Sequence, residues 1–364
     1  MNDVLDYIYW RGDLSFEQDP LNEIDAMIFS EFAYIDFSTL APKKLDRGLL
    51  TIQKAASLWE EANREDFMPT GYLHHSKAYE ALTLAGNSKR FGDILIAKQL
   101  DEISVDEESQ FGVTTFYRNN APFFIAFEGT DLRSLAWKED LQMTYLPTIP
   151  SQKKAVAFLN RHFETYPQEI AIGGHSKGSN LAIFGAIYVK EKYQSFIKAV
   201  YGFDGPGFPK EHLENRSYHQ IKERIHSYIP QDSIIGLMLH KLEEETVVYS
   251  RATELNQHDV YSWEIKGNRF IPSEITDNAR SIQQILNDFL DELSLKDRED
   301  FSETLFTVLG DGEDDFIVGN RNYNLQKLPE IIKEFRGLAP VQKQILFKVI
   351  RLFYRKRLEA RLAE

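Results

Sequence analysis

Residues 169–188 read EIAIGGHSKGSNLAIFGAIY, and the reading of this stretch decides the fold. Its first part, Ile170 to Ile172, is a short apolar, β-branched run ending in paired glycines, and its second, from Asn180 to Tyr188, is apolar at helical spacing. A strand therefore meets a helix at Gly174-His175-Ser176-Lys177-Gly178, a G-x-S-x-G sequence. Such a join forces its serine into a sharp, exposed turn, so Gly174 and Gly178 must be small for strand and helix to approach around it. Ser179, Asn180 and Ala182 keep that approach tight. The helix also aims its first amides at the turn, which favours negative charge on an attacked carbonyl oxygen. Ser176 is thus the candidate nucleophile. A serine that merely caps the helix is the ordinary alternative, and the flanking strand and helix weigh against it. His175 is expected to be structural, because neighbouring side chains on such a turn point apart.

Working outward, FIKAVYGFDG, RIHSYIPQD and TVVYSR read as further strands, at 196–205, 224–232 and 246–251. They alternate with helix-like stretches, the pattern of a mainly parallel sheet covered by helices. Upstream, DEISV and FGVTTFYRNNAPFFIAFEGTD supply β-rich runs, the second folding back at Asn119-Asn120 into a hairpin whose last strand, Phe123 to Phe127, ends at Gly129. Residues 1–89 have helical spacing and predict a mostly helical region packed on the core. Residues 90–270 predict the α/β core. Residues 271–364 read as helix only, through SIQQILNDFLDEL, FSETLFTVL, LPEIIKEF and VQKQILFKVIRLFYRKRLEARL.

The 364 residues include no cysteine, which excludes disulfides, thiolate nucleophiles, iron–sulfur clusters and cysteine-ligated zinc. Apolar residues at 43% and charged residues at 27% are those of an ordinary globular protein. Lys and Arg number 42 against 56 Asp and Glu, a net charge of −14 that repels a phosphate backbone, so nucleic acid is not expected as a partner. The first residues, MNDVLDYIYWRGDLSFEQDP, lack the basic, apolar and small-residue segments of a signal peptide, and no window resembles a transmembrane segment. A cytoplasmic protein is expected.

A serine nucleophile needs an imidazole to take its proton and a carboxylate to orient that imidazole, in the chain order Ser, acid, His. Of the histidines after the elbow, His226 lies within a strand, and His212 and His219 lie in a polar helical stretch. His258, in the polar loop ELNQHDVYSWEI after the last strand-like run, is the expected base. Asp232, just past RIHSYIPQ, is the preferred acid because ligands gather at the carboxyl ends of strands in open sheets. Asp204, in YGFDGPGF, is its competitor. The oxyanion hole calls for the amide of Lys177, after the nucleophile, and of Thr130, in the loop opened by Gly129. No metal or organic cofactor is required.

Together AFEGTD, GHSKGSNLA, YGFDGPG, IPQDSI and QHDVYSW resemble, in order, the motifs of the class 3 lipase branch of the α/β-hydrolases, over about residues 90 to 265. The stretch YIYWRGDLSFEQDPLNEIDAMIFSEFAYIDF further resembles a bacterial lipase-like family distantly related to those enzymes. The resemblance implies an α/β-hydrolase fold with helices on both faces of the sheet. It also implies a serine hydrolase acting on a small-molecule or lipid-like ester through Ser176, Asp232, His258 and the oxyanion donors Thr130 and Lys177. Three departures bear on the substrate: Glu128 replaces an arginine, Lys177 a leucine, and Ser179-Asn180 a Gly-Ala pair. Charged groups at the mouth would disfavour a purely lipid-facing site. The competing reading is a non-catalytic hydrolase-fold protein used for binding or regulation.

Four weaker features remain. The run Ile234 to Leu239 either lines an acyl pocket or lid, or is a helix packed in the core. Gly205 to Arg224 is placed to cover the site. Asp311-Gly312-Glu313-Asp314-Asp315 lacks the glycine and glutamate positions of a calcium loop and reads as an acidic turn. The segment Val341 to Glu364 carries seven Lys or Arg and two Asp or Glu, suited either to peripheral contact with an anionic membrane or to packing against the acidic remainder of the chain.

Overall fold

The computed structural model describes residues 2–40, 50–61, 75–119, 121–131, 133–310 and 331–363. Its centre is an eight-stranded sheet whose strands lie in chain order: β1 (Leu50–Thr51), β2 (Leu95–Ser104), β3 (Ser109–Arg118), β4 (Ala121–Phe127), β5 (Ile170–His175), β6 (Ile197–Phe203), β7 (Ile225–Pro230) and β8 (Glu245–Val248). The pairs from β1 to β4 are antiparallel and those from β4 to β8 parallel. The hairpin between β3 and β4 turns through Asn119 at φ 51°, a left-handed conformation that asparagine tolerates.

Side chains alternate across the sheet, and each face has its own core. On β4, Phe124 and Ala126 join the helices α1 (Val4–Arg11), α2 (Glu23–Phe32), α3 (Ile52–Glu61) and α4 (His75–Gly86) in one apolar cluster. Their neighbours Ile125 and Phe127 face the opposite cluster, with α6 (Pro150–Thr165) and α7 (Lys177–Tyr188), which follow α5 (Ser134–Gln142). The sheet is parallel from β4 to β8 and carries helices on both faces, as an α/β-hydrolase fold requires. Residues 1–89 share that core and give the sheet its edge strand β1.

The C-terminal helices α8 (Asp277–Glu292), α9 (Leu295–Leu309) and α10 (Pro340–Ala363) pack together, with Leu293, Val349 and Leu352 in one apolar cluster and Val308, Leu338 and Leu346 in another. The basic segment is partly engaged at home: Lys348 lies 2.6 Å from Asp297, and Arg355 and Lys356 both pair with Glu292. No helix among the described residues is long and apolar enough to cross a membrane. Asp311 to Asp315 lie outside the described residues.

Arg90 ties the N-terminal helices to the core. Its fully buried guanidinium donates to both carboxylate oxygens of Asp25 on α2, at 2.7 and 2.5 Å, and to the carbonyls of Leu14, Asp19 and Pro20. Tyr7 on α1 donates its hydroxyl to the same carboxylate. Removing one partner strands the other charge without water, so Arg90→Met should cost about 3–5 kcal/mol in urea unfolding. Arg90→Met/Asp25→Leu should recover part of that loss; a single variant as stable as wild type would refute the role of the pair.

Candidate active site

The elbow has the geometry its sequence demands. Ser176 directly follows β5 at φ 57° and ψ −128°, a left-handed conformation costly for any residue with a Cβ, and α7 starts at the next residue. A Cβ on Gly174 would lie 2.3 Å from the backbone of Gly178, and one on Gly178 would lie 2.1 Å from the Phe127 carbonyl oxygen. The end of β4, the elbow and the start of α7 are therefore in backbone contact, which brings the Thr130 loop beside Ser176.

Ser176, Lys177, Thr130 and His258 all line one cavity of about 430 Å³. Its other walls are mainly apolar, with Trp137, Leu141, Met143, Met238, Leu305 and Phe306 among them. Ile235, Met238 and Leu239 from the 234–239 run line it too, while Leu237 packs in the core against Ile229. That run forms turns and bends and not the helix expected of a core segment. The segment after Gly205 packs on α7 through Phe208, Tyr218 and Ile221, and of its residues only Pro206 lines the cavity.

Asp204, and not Asp232, is the carboxylate beside the imidazole. His258 Nδ1 lies 2.7 Å from Asp204 Oδ2, while Asp204 Oδ1 accepts from the Ser233 hydroxyl and, at 3.1 Å, from the Gly236 amide. Burial pushes this carboxyl up, but the hydrogen bond and charge of His258, with Ser233, outweigh burial and hold it below its usual value. Asp232 instead exchanges hydrogen bonds with Gln257, at 3.1 and 2.9 Å, and accepts from the Thr276 hydroxyl. It thus holds the residue before His258. The reason is position: Asp204 directly follows β6, the neighbour of the nucleophile strand, and turns inward at φ 45°, whereas Asp232 lies one strand farther out. A sequence signal was present in the glycines of YGFDGPG. A Cβ on Gly205 would strike Ser179 at 2.4 Å, so the backbone after Asp204 runs against the elbow helix.

His175, expected to be structural, packs against a second imidazole. Its ring lies against that of His258, centroids 4.5 Å apart, and its Nε2 is 3.0 Å from the His258 carbonyl oxygen. No local pattern marks this contact, because the partners are 83 residues apart.

The charged departures at the elbow lie inside the protein and not at the cavity mouth. Lys177 is almost wholly buried; its Nζ donates to Glu139 at 3.1 Å and to the carbonyl and side-chain oxygens of Gln110 at 3.1 and 2.7 Å. Burial disfavours that charge, yet Glu139 and Asp140 more than offset it and raise the ammonium's pKa. Glu128 is buried against Gly112, and burial, reinforced by Asp101 and Asp131, keeps its carboxyl well above the usual range. The amide of Lys177 belongs to the first turn of α7, where N–H groups have no partner within the helix. The Thr130 hydroxyl donates to Asp140 Oδ2 at 2.6 Å. No group of three or more His, Asp or Glu suited to a metal ion occurs among the described residues.

A family model described as Mbeg1-like matches residues 85–307, more than half of the chain. The chain belongs to the Mbeg1-like family. That family is lipase-like, in keeping with this member's hydrolase fold. The solved structures similar to this Mbeg1-like chain include the crystal structure of M37 lipase, at 14% identity and a TM-score of 0.37, covering 60% of this chain and 70% of that one. No curated protein matches it.

Asp140 lines the cavity, and its Oδ1 is buried without a hydrogen-bond partner among the described residues. Burial, opposed by Lys177 and Thr130, pushes this carboxyl up to about 6. A carboxyl raised on folding binds its proton more tightly in the folded state, so stability falls as pH rises from about 4 to about 6 and stays reduced above. Asp140→Asn should therefore raise the melting temperature at about pH 8, by the equivalent of up to about 3 kcal/mol, with the gain vanishing near pH 4. A gain equal at both pH values would contradict the burial of this charge.

Proposed function

We propose that the protein is a serine hydrolase of carboxylic esters with an apolar acyl group. The observation that carries this reading is a serine held in a strained elbow on the same cavity as an imidazole whose Nδ1 faces a buried carboxylate. With Asp204 kept ionised, His258 donates from Nδ1, and Nε2 remains as the basic nitrogen. In the proposed reaction the Ser176 hydroxyl attacks the ester carbonyl carbon and His258 takes its proton. The amides of Lys177 and Thr130 donate to the oxyanion, and the proton passes to the leaving alcohol as the intermediate collapses to an acyl-enzyme. Water, deprotonated by the same imidazole, then releases the acid and restores Ser176. Because Lys177 is paired with Glu139 inside the protein, its replacement of leucine leaves the cavity wall apolar, which favours an acyl chain over a charged group.

A fluorophosphonate probe should label the wild type and not Ser176→Ala; an unlabelled wild type would favour the non-catalytic binding reading. For p-nitrophenyl esters, kcat/KM should rise by up to about fourfold per methylene until the cavity is filled, the increment expected for burying one CH2. A profile flat from acetate to octanoate would remove the acyl assignment.

The two aspartates separate cleanly. Asp204→Asn should lower kcat by roughly 10⁴-fold, as expected when the imidazole loses its orienting carboxylate. Asp232→Asn, which keeps an acceptor for Gln257 and Thr276, should cost about tenfold or less. The reverse order would restore Asp232 as the acid.

A further inference from the structure

The described side chains hold a second carboxyl–imidazole pair against the first, and the N-terminal helices supply half of it. Glu31 lies in the last turn of α2, with Tyr34 just beyond; both line the cavity. His175 Nδ1 is 3.2 Å from Glu31 Oε1 and 3.3 Å from the Tyr34 hydroxyl, which also donates to the His175 carbonyl at 3.3 Å. The side chains of His175 and Glu31 are only 5% and 4% exposed. At its far side the His175 ring meets the carbonyl oxygen of His258, and a carbonyl only accepts, so Nε2 carries a proton. That leaves Nδ1 to face a buried carboxyl oxygen that has no hydrogen-bond partner among the described residues apart from this ring contact. Glu31 and Tyr34 thus bracket the ring at Nδ1, and the His258 carbonyl brackets it at Nε2.

We infer that Glu31 and His175 are positioning residues for His258. Asp204 fixes the His258 ring through Nδ1, and His175 fixes its main chain through the carbonyl; together they hold the short turn Glu254–His258 and keep the imidazole on the cavity that Ser176 also lines. Glu31 acts one step back, holding with Tyr34 the Nδ1 side of the His175 ring so that its Nε2 stays against the carbonyl. The inference rests on the proposed role of His258. It also gives the N-terminal region, which lies outside the residues matched by the family model, a part in the site.

The test compares His175→Phe, which keeps a ring but no donor, with His175→Gln, which keeps an N–H at similar reach. Kinetics of p-nitrophenyl ester hydrolysis and the NMR resonance of the His258 Nδ1 proton are both read. His175→Phe should lose about 10- to 100-fold in kcat with little change in KM, the cost of a catalytic group displaced by about an ångström, and His175→Gln should recover most of it. The proton resonance should broaden through solvent exchange in His175→Phe and stay sharp in His175→Gln. Full kcat in folded His175→Phe, or a resonance equally sharp in both variants, would overturn the inference. Should His175→Phe fail to fold, Glu31→Met decides: a several-fold fall in kcat with a broadened resonance supports the pair, and wild-type values refute it. A wild-type protein that neither hydrolyses esters nor takes up fluorophosphonate would remove the proposed function alone, since the resonance still reports whether His175 holds His258.

Discussion

The close approach between the Phe127 carbonyl and Gly178, where a Cβ would lie 2.1 Å from the oxygen, is the constraint on which the rest of the molecule depends. It joins the end of β4 to the start of α7 and leaves Ser176 no relaxed conformation between them. A non-glycine residue at positive φ costs on the order of 1–3 kcal/mol, and such strain persists only where the surroundings over-determine it. Here they do. Helix α7 is buried from Lys177 to Ile187, flanked by parallel strands on one side and α6 on the other. The elbow is held by the two elements it connects, and the Thr130 loop, as the continuation of β4, comes to the site without any loop search of its own.

The second theme is how an acidic chain places charge inside its core. Lys177, Glu139, Asp25 and Arg90 are all essentially removed from water, and each charge has an opposite partner as well as neutral hydrogen-bonding groups. Glu139 accepts from the amides of Gln110 and Ser151 besides Lys177, so the ammonium under the elbow is held by α5, β3 and the start of α6 together. Buried pairs of this kind add little net stability but penalise any arrangement that separates them. They therefore act more as alignment than as glue. The same logic runs through the site, where carboxylates face imidazoles and the apolar cavity wall is left to Trp137, Met143 and Phe306.

The sequence by itself determined the local events: a strand running into a helix at Ser176, the hairpin at Asn119, the alternation that gives β4 two apolar faces, and helices at both ends of the chain. These follow from backbone sterics and hydrophobic period, which act over a few residues. It also narrowed the imidazole to His258 and the carboxylate to Asp204 or Asp232. Only the tertiary structure shows that Asp204 and not Asp232 lies beside His258, since this depends on which strand lies beside β5 and on the inward turn of Asp204. It alone brought Glu31 and His175 to His258, and put Lys177 and Glu128 inside the protein when their charge suggested the mouth. Contacts between residues tens of positions apart are set by how the layers pack, and no short-range pattern encodes that.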